Sequence, residues 1–203
     1  MSTITKVEMQ KNNDQKVNLY LDGEFYSRVY LDTCVKYNLK SNIEIDRERL
    51  DNIIAESEKN LALNFSARFV NRSLKTAKQV RDYLRKKEFD EDIIDYVMEK
   101  LNEYGFINDD NYIISFCNTY QGKYGKNKLI AMLKQRGISD KKIDEYFNEV
   151  EIESSCYNVA IKKAKSLDLN IDKDRAKLYR YLTSRGYDYD EIKSVIAKIE
   201  NGE

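Results

Sequence analysis

Arg68, Arg72, Lys75 and Lys78 follow one another at three- to four-residue intervals, and Lys123, Lys126 and Lys128 crowd a second short stretch beside Tyr120 and Tyr124. Cations interleaved with aromatic rings suit a polyanion or an acidic protein groove. The ammonium and guanidinium groups supply charge-assisted hydrogen bonds, and the rings supply stacking faces. Arg81 and Arg85 extend the first set, and Lys134 and Arg136 the second. These thirteen positions are the candidate binding residues.

Catalytic chemistry finds no comparable support. The chain has no histidine, which removes the commonest general base and metal ligand. Gly122 and Gly125 lie in a basic loop without the spacing of a phosphate-cradling motif. Asp109 and Asp110 are the acidic pair of a helix start. Cys34, Cys117 and Cys156 are too scattered for a disulfide framework or a zinc site, and Cys117 has no base beside it in sequence. Each reads as a small buried apolar residue. The expectation is a chain with no catalytic residues, no metal and no cofactor.

What positions the basic residues is a repeat of 49 residues. Leu84, Leu133 and Leu182 fall in register, as do Val80, Leu129 and Leu178. So do Phe89, Ile138 and Tyr187; Ile94, Ile143 and Ile192; Met98, Phe147 and Ile196; and Leu101, Val150 and Ile199. A fixed period of this length marks stacked supersecondary units. Each unit reads as three short helices, A, B and C. Thr76 with Gln79 forms a capping-box pattern opening the first B helix. Asp90, Ser139 and Asp188 are placed to cap the C helices, and Asp172 the third B helix. Gly137 and Gly186 end the second and third B helices, where a left-handed residue is required. Glu88 holds that place in the first copy, so its turn must differ or be strained. Helices this short are marginal alone, so each must bury its stripe against its partners. A buried leucine anchor is then worth about 2–5 kcal/mol.

Charge follows the same register although the formal net charge is zero. From Leu61 to Lys87 basic residues outnumber acidic ones eight to one, and from Glu88 to Asp110 the ratio is one to nine, so the A–B half is basic and the C half acidic. The second and third copies repeat the asymmetry, the third reaching to Glu203. Helix dipoles account for Glu91, Asp92, Asp140 and Asp190 at the start of C and for Arg85, Lys86, Lys87, Arg136 and Arg185 at the end of B. They do not account for Arg68, Arg72, Lys75, Lys78, Lys123, Lys126 and Lys128 around the A–B junctions.

The first third differs. Thr5, Val7 and Met9 alternate with polar residues, Val17, Leu19 and Leu21 do so again, and Asp22-Gly23 precedes a third alternating run through Phe25, Ser27, Val29 and Leu31. This predicts a β-hairpin with a further strand before it, then a small helix over 32–39. From Asp46 the period turns helical, with a stripe of Leu50, Ile54, Leu61, Phe65 and Phe69 and with Ile53 and Ala62 beside it, as one long helix to about Arg72 or two with a bend near Asn60. The fold class is mainly α: three tandem three-helix repeats (58–107, 108–153 and 154–203) in an elongated curved array, preceded by a small α+β unit (1–57) with a β-hairpin. The absence of proline favours helix. No apolar run reaches a membrane span and the start lacks a signal-peptide core, which predicts a cytoplasmic chain without membrane contact.

Three stretches carry a family resemblance: VRDYLRKKEFDEDIIDYVMEKL (80–101), GFINDDNY (105–112) and YGKNKLIAMLKQRGISD (124–140), the last with the Leu133-x₃-Gly137-Ile138 step. From Leu61 to Gly202 the chain resembles the RecX family of bacterial regulators of the RecA recombinase. Its mixed N-terminal unit resembles the extension of longer members. The third copy departs from the pattern, with Ile171–Arg175 in place of the Tyr-Gly-Lys loop. The resemblance implies a monomer that binds the RecA nucleoprotein filament and binds single- or double-stranded DNA weakly. It implies restraint of strand exchange, ATP turnover and coprotease activity, and so a role in DNA repair, recombination and the SOS response. A different class of function, an autonomous DNA-binding protein built from helix-turn-helix-like units, is weakened by the acidic character of helix C, the helix that would enter a groove. A generic protein-binding scaffold is a third reading.

Overall fold

The computed structural model describes residues 1–150 and 154–201. Period-two alternation folds the first thirty residues into strands β1 (Ser2–Gln10), β2 (Asn13–Leu21) and β3 (Glu24–Tyr30), paired antiparallel in sequence order. Asp22 and Gly23 both have positive φ (51° and 91°), the backbone a two-residue hairpin of the right twist demands. Helix α1 (Leu31–Tyr37) stops at Asn38, left-handed at φ 52°. A strand absent from the sequence expectation follows. This is β4 (Ile43–Ile45), which pairs with β1 and completes the order β3-β2-β1-β4. Three residues are too few to show an alternation. Ile4, Val17, Leu19, Leu21, Val29 and Leu50 close the core beneath this sheet.

Ten helices lie among the described residues. Helix α2 (Arg47–Val70) is unbroken, and Asp46 caps it by accepting the Arg49 backbone N–H at 3.1 Å. Its deeply buried face differs from the expected stripe. Beyond Leu50 it consists of Ser57, Ala62, Ser66 and Val70, while Ile54, Leu61, Phe65 and Phe69 are half-buried. Small side chains on that face suit the close packing of α2 on α4, and the serine hydroxyls are satisfied internally: Ser66 donates to the Ala62 carbonyl, and Ser57 bonds Thr33. The displaced aromatics pack against other rings instead. Phe65 meets Tyr30 and Phe89, and Phe69 stacks on Tyr83 with centroids 4.2 Å apart.

The remaining helices are α3 (Ala77–Lys86), α4 (Glu91–Glu103), α5 (Asp109–Tyr120), α6 (Lys126–Gln135), α7 (Asp140–Glu149), α8 (Cys156–Ala164), α9 (Asp172–Ser184) and α10 (Tyr189–Glu200). The repeat anchors are buried throughout, except Val150, which is 40% exposed just after α7, and Ile199, which is half-buried. The Thr76–Gln79 box is reciprocal, at 3.1 and 3.2 Å, and Asp188 forms a second box with Glu191. Ser139 caps α7. Two expected caps are different. Asp90 occupies the cap position of α4 without a side-chain bond, and Asp172 is the first residue of α9 after the cap residue Ile171. Gly202 and Glu203 lie outside the described residues.

The chain forms two compact units. The first comprises Met1–Ser73 with Val80–Phe106, and the second Leu74–Gln79 with the chain from Ile107 onward. In the first, Lys16 on β2 is only 4% exposed. Its ammonium donates to the Glu88 carbonyl at 2.9 Å, lies 3.5 Å from the Glu88 carboxylate and sits over the Tyr30 ring. Tyr30 donates to the Lys87 carbonyl at 2.7 Å and stacks on Phe89. Sheet and first repeat are thus pinned at the turn between α3 and α4. Lys16→Met keeps the apolar stem and deletes the charged donor. It should destabilise this unit by about 1.5–3 kcal/mol, the range for hydrogen bonds from charged groups. An unchanged urea midpoint would show that the pin carries no stability.

Candidate partner-binding surface

Two joints in the second unit organise the basic residues, and both obey the 49-residue period. At one, the Thr76 hydroxyl before α3 donates to the Arg136 carbonyl at 2.7 Å, and the Ala77 N–H meets the Asp109 carboxylate at 3.2 Å. At the other, the Gly125 N–H before α6 donates to the Arg185 carbonyl at 3.0 Å. Thr76 and Gly125 are equivalent positions, and so are Arg136 and Arg185. The start of one copy's B helix therefore seats the B–C turn of the next. Gly137 (φ 84°) and Gly186 (φ 87°) lie at the contact, against Lys78 and Lys128 respectively.

The thirteen candidates divide by environment. Arg81 pairs with Asp95 at 2.7 Å, Arg85 binds both carboxylate oxygens of Glu91, and Lys134 pairs with Asp140 at 2.8 Å. These three are neutralised by helix C of their own copy. The bond from Arg85 raises its own pKa and lowers that of Glu91, and the bond from Lys134 to Asp140 raises the lysine. Arg136 is half-buried. It lies 4.6 Å from the Phe116 ring centroid and donates to the Met132 carbonyl. Tyr120 and Tyr124 are half-buried in the ring cluster of the second copy, and Lys75 is also half-buried. Arg68, Arg72, Lys78, Lys123, Lys126 and Lys128 are exposed and carry no ion pair among the described residues. Arg68 and Arg72 belong to the first unit; the four lysines belong to the second. Lys78 and Lys128 lie at the joints, and Lys126 reaches over the Phe147 ring.

Arg185 is a residue that the basic-cluster pattern missed. It lies over Tyr124 and Tyr181 at 5.2 and 5.0 Å and supplies the carbonyl that closes the second joint. Its register with Arg136 was the available signal.

The three cysteines are free and buried, as their composition predicts. Burial pushes the Cys34 and Cys117 thiols up to about 11, the latter despite a hydrogen bond with Tyr146. It pushes Cys156 up to about 12, with the Glu191 and Asp188 charges adding to the effect. Thiolate is the reactive form, so a colorimetric disulfide reagent at about pH 8 should label none of them in the native protein and all of them after denaturation. Fast native labelling would contradict the packing around them. Among the described residues no His, Cys, Asp and Glu group could hold a metal, and no helix is long and apolar enough to cross a membrane.

A four-stranded sheet followed by three-helix modules, with joints built from turn carbonyls and exposed cations beside them, defines a helical repeat protein. Its sequence matches the N-terminal domain of regulatory protein RecX over residues 2–46, the first RecX three-helix domain over 62–101 and the third over 151–196. The chain belongs to the regulatory protein RecX family. It is 38% identical to regulatory protein RecX of Clostridium beijerinckii, with 98% of this chain and 96% of that protein covered. The RecX of Clostridioides difficile is 31% identical, with 99% and 97% covered. A crystal structure of regulatory protein RecX shares the fold at TM-score 0.63 and 21% identity, covering 96% of this chain and 98% of that one. RecX from Lactobacillus salivarius does so at 0.62 and 24%, covering 71% and 98%.

Proposed function

We propose that this chain is a non-enzymatic regulator of the RecA recombinase that binds the RecA nucleoprotein filament and inhibits its recombinase, ATPase and coprotease activities. Family membership supports the regulatory role. The observation that carries the binding reading is the set of exposed cations without ion pairs: Arg68 and Arg72 in one unit, and Lys78, Lys123, Lys126 and Lys128 in the other. An exposed charge left unneutralised by its own fold remains available to a polyanionic or acidic partner. Weak binding to DNA alone, a monomeric state and a cytoplasmic location belong to the same reading. So does the division into modules at 57/58, 107/108 and 153/154, although residue 153 lies outside the described residues. RecA-dependent ATP hydrolysis on single-stranded DNA, measured with and without the protein, is the test. A concentration-dependent fall in turnover is expected, and turnover unchanged at saturating protein would end the proposal. A gel-shift salt titration on duplex without RecA separates it from autonomous DNA binding, which predicts tight, sequence-selective complexes at physiological salt.

A further inference from the structure

The cation that follows each B helix lies on an aromatic ring. Lys87, Arg136 and Arg185 are equivalent positions, one period apart. Lys87 lies 5.0 Å from the Phe65 ring centroid, and Arg136 4.6 Å from that of Phe116. Arg185 has two rings, Tyr124 at 5.2 Å and Tyr181 at 5.0 Å. A guanidinium is planar and weakly hydrated, so ring faces hold it well. The main chain of Arg185 is committed to the second joint, where its carbonyl accepts the Gly125 N–H.

Its side chain is not committed. Arg136 donates to the Met132 carbonyl of its own helix. Arg185 makes no side-chain hydrogen bond and no ion pair among the described residues. It is half-buried, yet no buried side-chain nitrogen or oxygen among those residues lacks a partner. The nitrogens of Arg185 therefore reach solvent. The rings fix the plane of the group, and its N–H donors stay open. Of the acidic residues just after it, Asp188 and Glu191 are tied into the capping box of α10. Three lysines lie close by. Lys163 on α8 sits 5.6 Å from the same Tyr181 ring, Lys128 packs against Gly186, and Lys123 adjoins Tyr124 in the chain. None of the three has an ion pair among the described residues.

Open cations at this density suit a polyanion, and the rings select among polyanions. A duplex keeps its bases stacked inside and meets such a surface with phosphates alone. A single strand brings phosphate and unstacked base together, and it binds where aromatic side chains accompany a basic track. An acidic peptide would use the charges and leave the rings idle. We infer that Arg185, held against Tyr124 and Tyr181, grips a phosphate of single-stranded nucleic acid and gives the chain a preference for single strands over duplex. The planar fork takes two phosphate oxygens at once. Tyr124 and Tyr181 are half-buried, so each keeps part of its surface open to the neighbouring base. This deepens the weak DNA binding of the proposed function, rests on that part of it alone and involves no RecA.

The probe is a fluorescent oligodeoxythymidine of about twenty nucleotides, longer than a typical single-strand site, titrated with full-length protein without RecA and read by anisotropy. Arg185→Gln removes the charge, and Arg185→Lys keeps it without the planar fork. Neither alters the carbonyl that closes the joint, and unchanged urea midpoints verify the fold. Arg185→Gln should weaken single-strand binding about tenfold, the loss of one charged contact, and lower the slope of log affinity against log salt by about 0.7. Binding to a duplex of the same length should change less than about twofold. Arg185→Lys should restore the salt slope but not the preference for single strands. If the wild type fails to bind the oligonucleotide, this inference and the weak DNA binding fall together. If the wild type binds and Arg185→Gln binds equally well, or loses single strand and duplex alike, the inference alone is overturned. Displacement of the strand by polyglutamate at matched charge would overturn it too, and would assign the site to an acidic protein.

Discussion

Gly186→Ala should lower the stability of the second unit by about 2–4 kcal/mol, while Gly105→Ala should cost its own unit only about 1 kcal/mol. Both glycines are left-handed, with φ of 87° and 69°, and alanine pays a similar conformational penalty at each. They differ in what surrounds them. A Cβ on Gly105 meets nothing within 4 Å. A Cβ on Gly186 falls 2.8 Å from Lys128 Cα and nearer still to the Lys128 backbone nitrogen. Backbone at the start of α6 cannot swing aside, so the turn must withdraw and the Gly125-to-Arg185 bond must lengthen. Overpacking of this kind adds about 1–3 kcal/mol. Gly137→Ala should also cost more than Gly105→Ala, because its Cβ falls 2.5 Å from Lys78 Cβ, an atom fixed to the α3 backbone. Urea titrations followed by circular dichroism give the order. Equal losses at Gly186 and Gly105 would mean that the joint contributes nothing.

The same contrast explains Glu88. It adopts the left-handed conformation of its counterparts, at φ 60°, without being glycine. The two later turns receive a helix start, which leaves no room for a Cβ. The first receives the tip of a long side chain, Lys16, and that leaves room. Glycine is demanded twice over in the later copies, by φ and by contact, and only by φ in the first.

This marks the limit of what was legible in the chain. The helices, their caps and the buried anchors follow from periodicity, because a helix buries whatever its own spacing lines up. The hairpin follows from alternation and Asp-Gly. The seam of α2 follows only in part: Ala62 lies beside the expected stripe, but Ser57 and Ser66 are buried for their smallness and hydrophobicity gives no sign of it. The candidate cations could be found by type but sorted only in part, Arg85 and Arg136 by their place at helix ends. Arg81 looks like Arg68 and Arg72 in sequence. Only the fold shows that Asp95 sits against Arg81 and that Glu91 reaches both Arg81 and Arg85.

That sorting gives the binding prediction its form. Reversing Arg68, Arg72, Lys123, Lys126 and Lys128 together to glutamate should weaken binding to the RecA filament by about a hundredfold and leave helicity unchanged. Each exposed ionic contact is worth roughly 0.5 kcal/mol, and five of them compound to about that factor. Reversing Arg81 and Arg85 serves as the contrast. It breaks their ion pairs with α4, so the loss should appear in the stability of the first unit, with binding changed far less. Salt separates the possible surfaces on the filament. Contacts to DNA phosphates lower the slope of log affinity against log salt by about one for each residue removed. Contacts to acidic protein side chains give a shallower dependence. Co-sedimentation with filaments across a salt series reads both quantities. If the five-fold variant binds and inhibits like the wild type, the unpaired cations are only a solvated face, and the filament must be held by another surface of the chain.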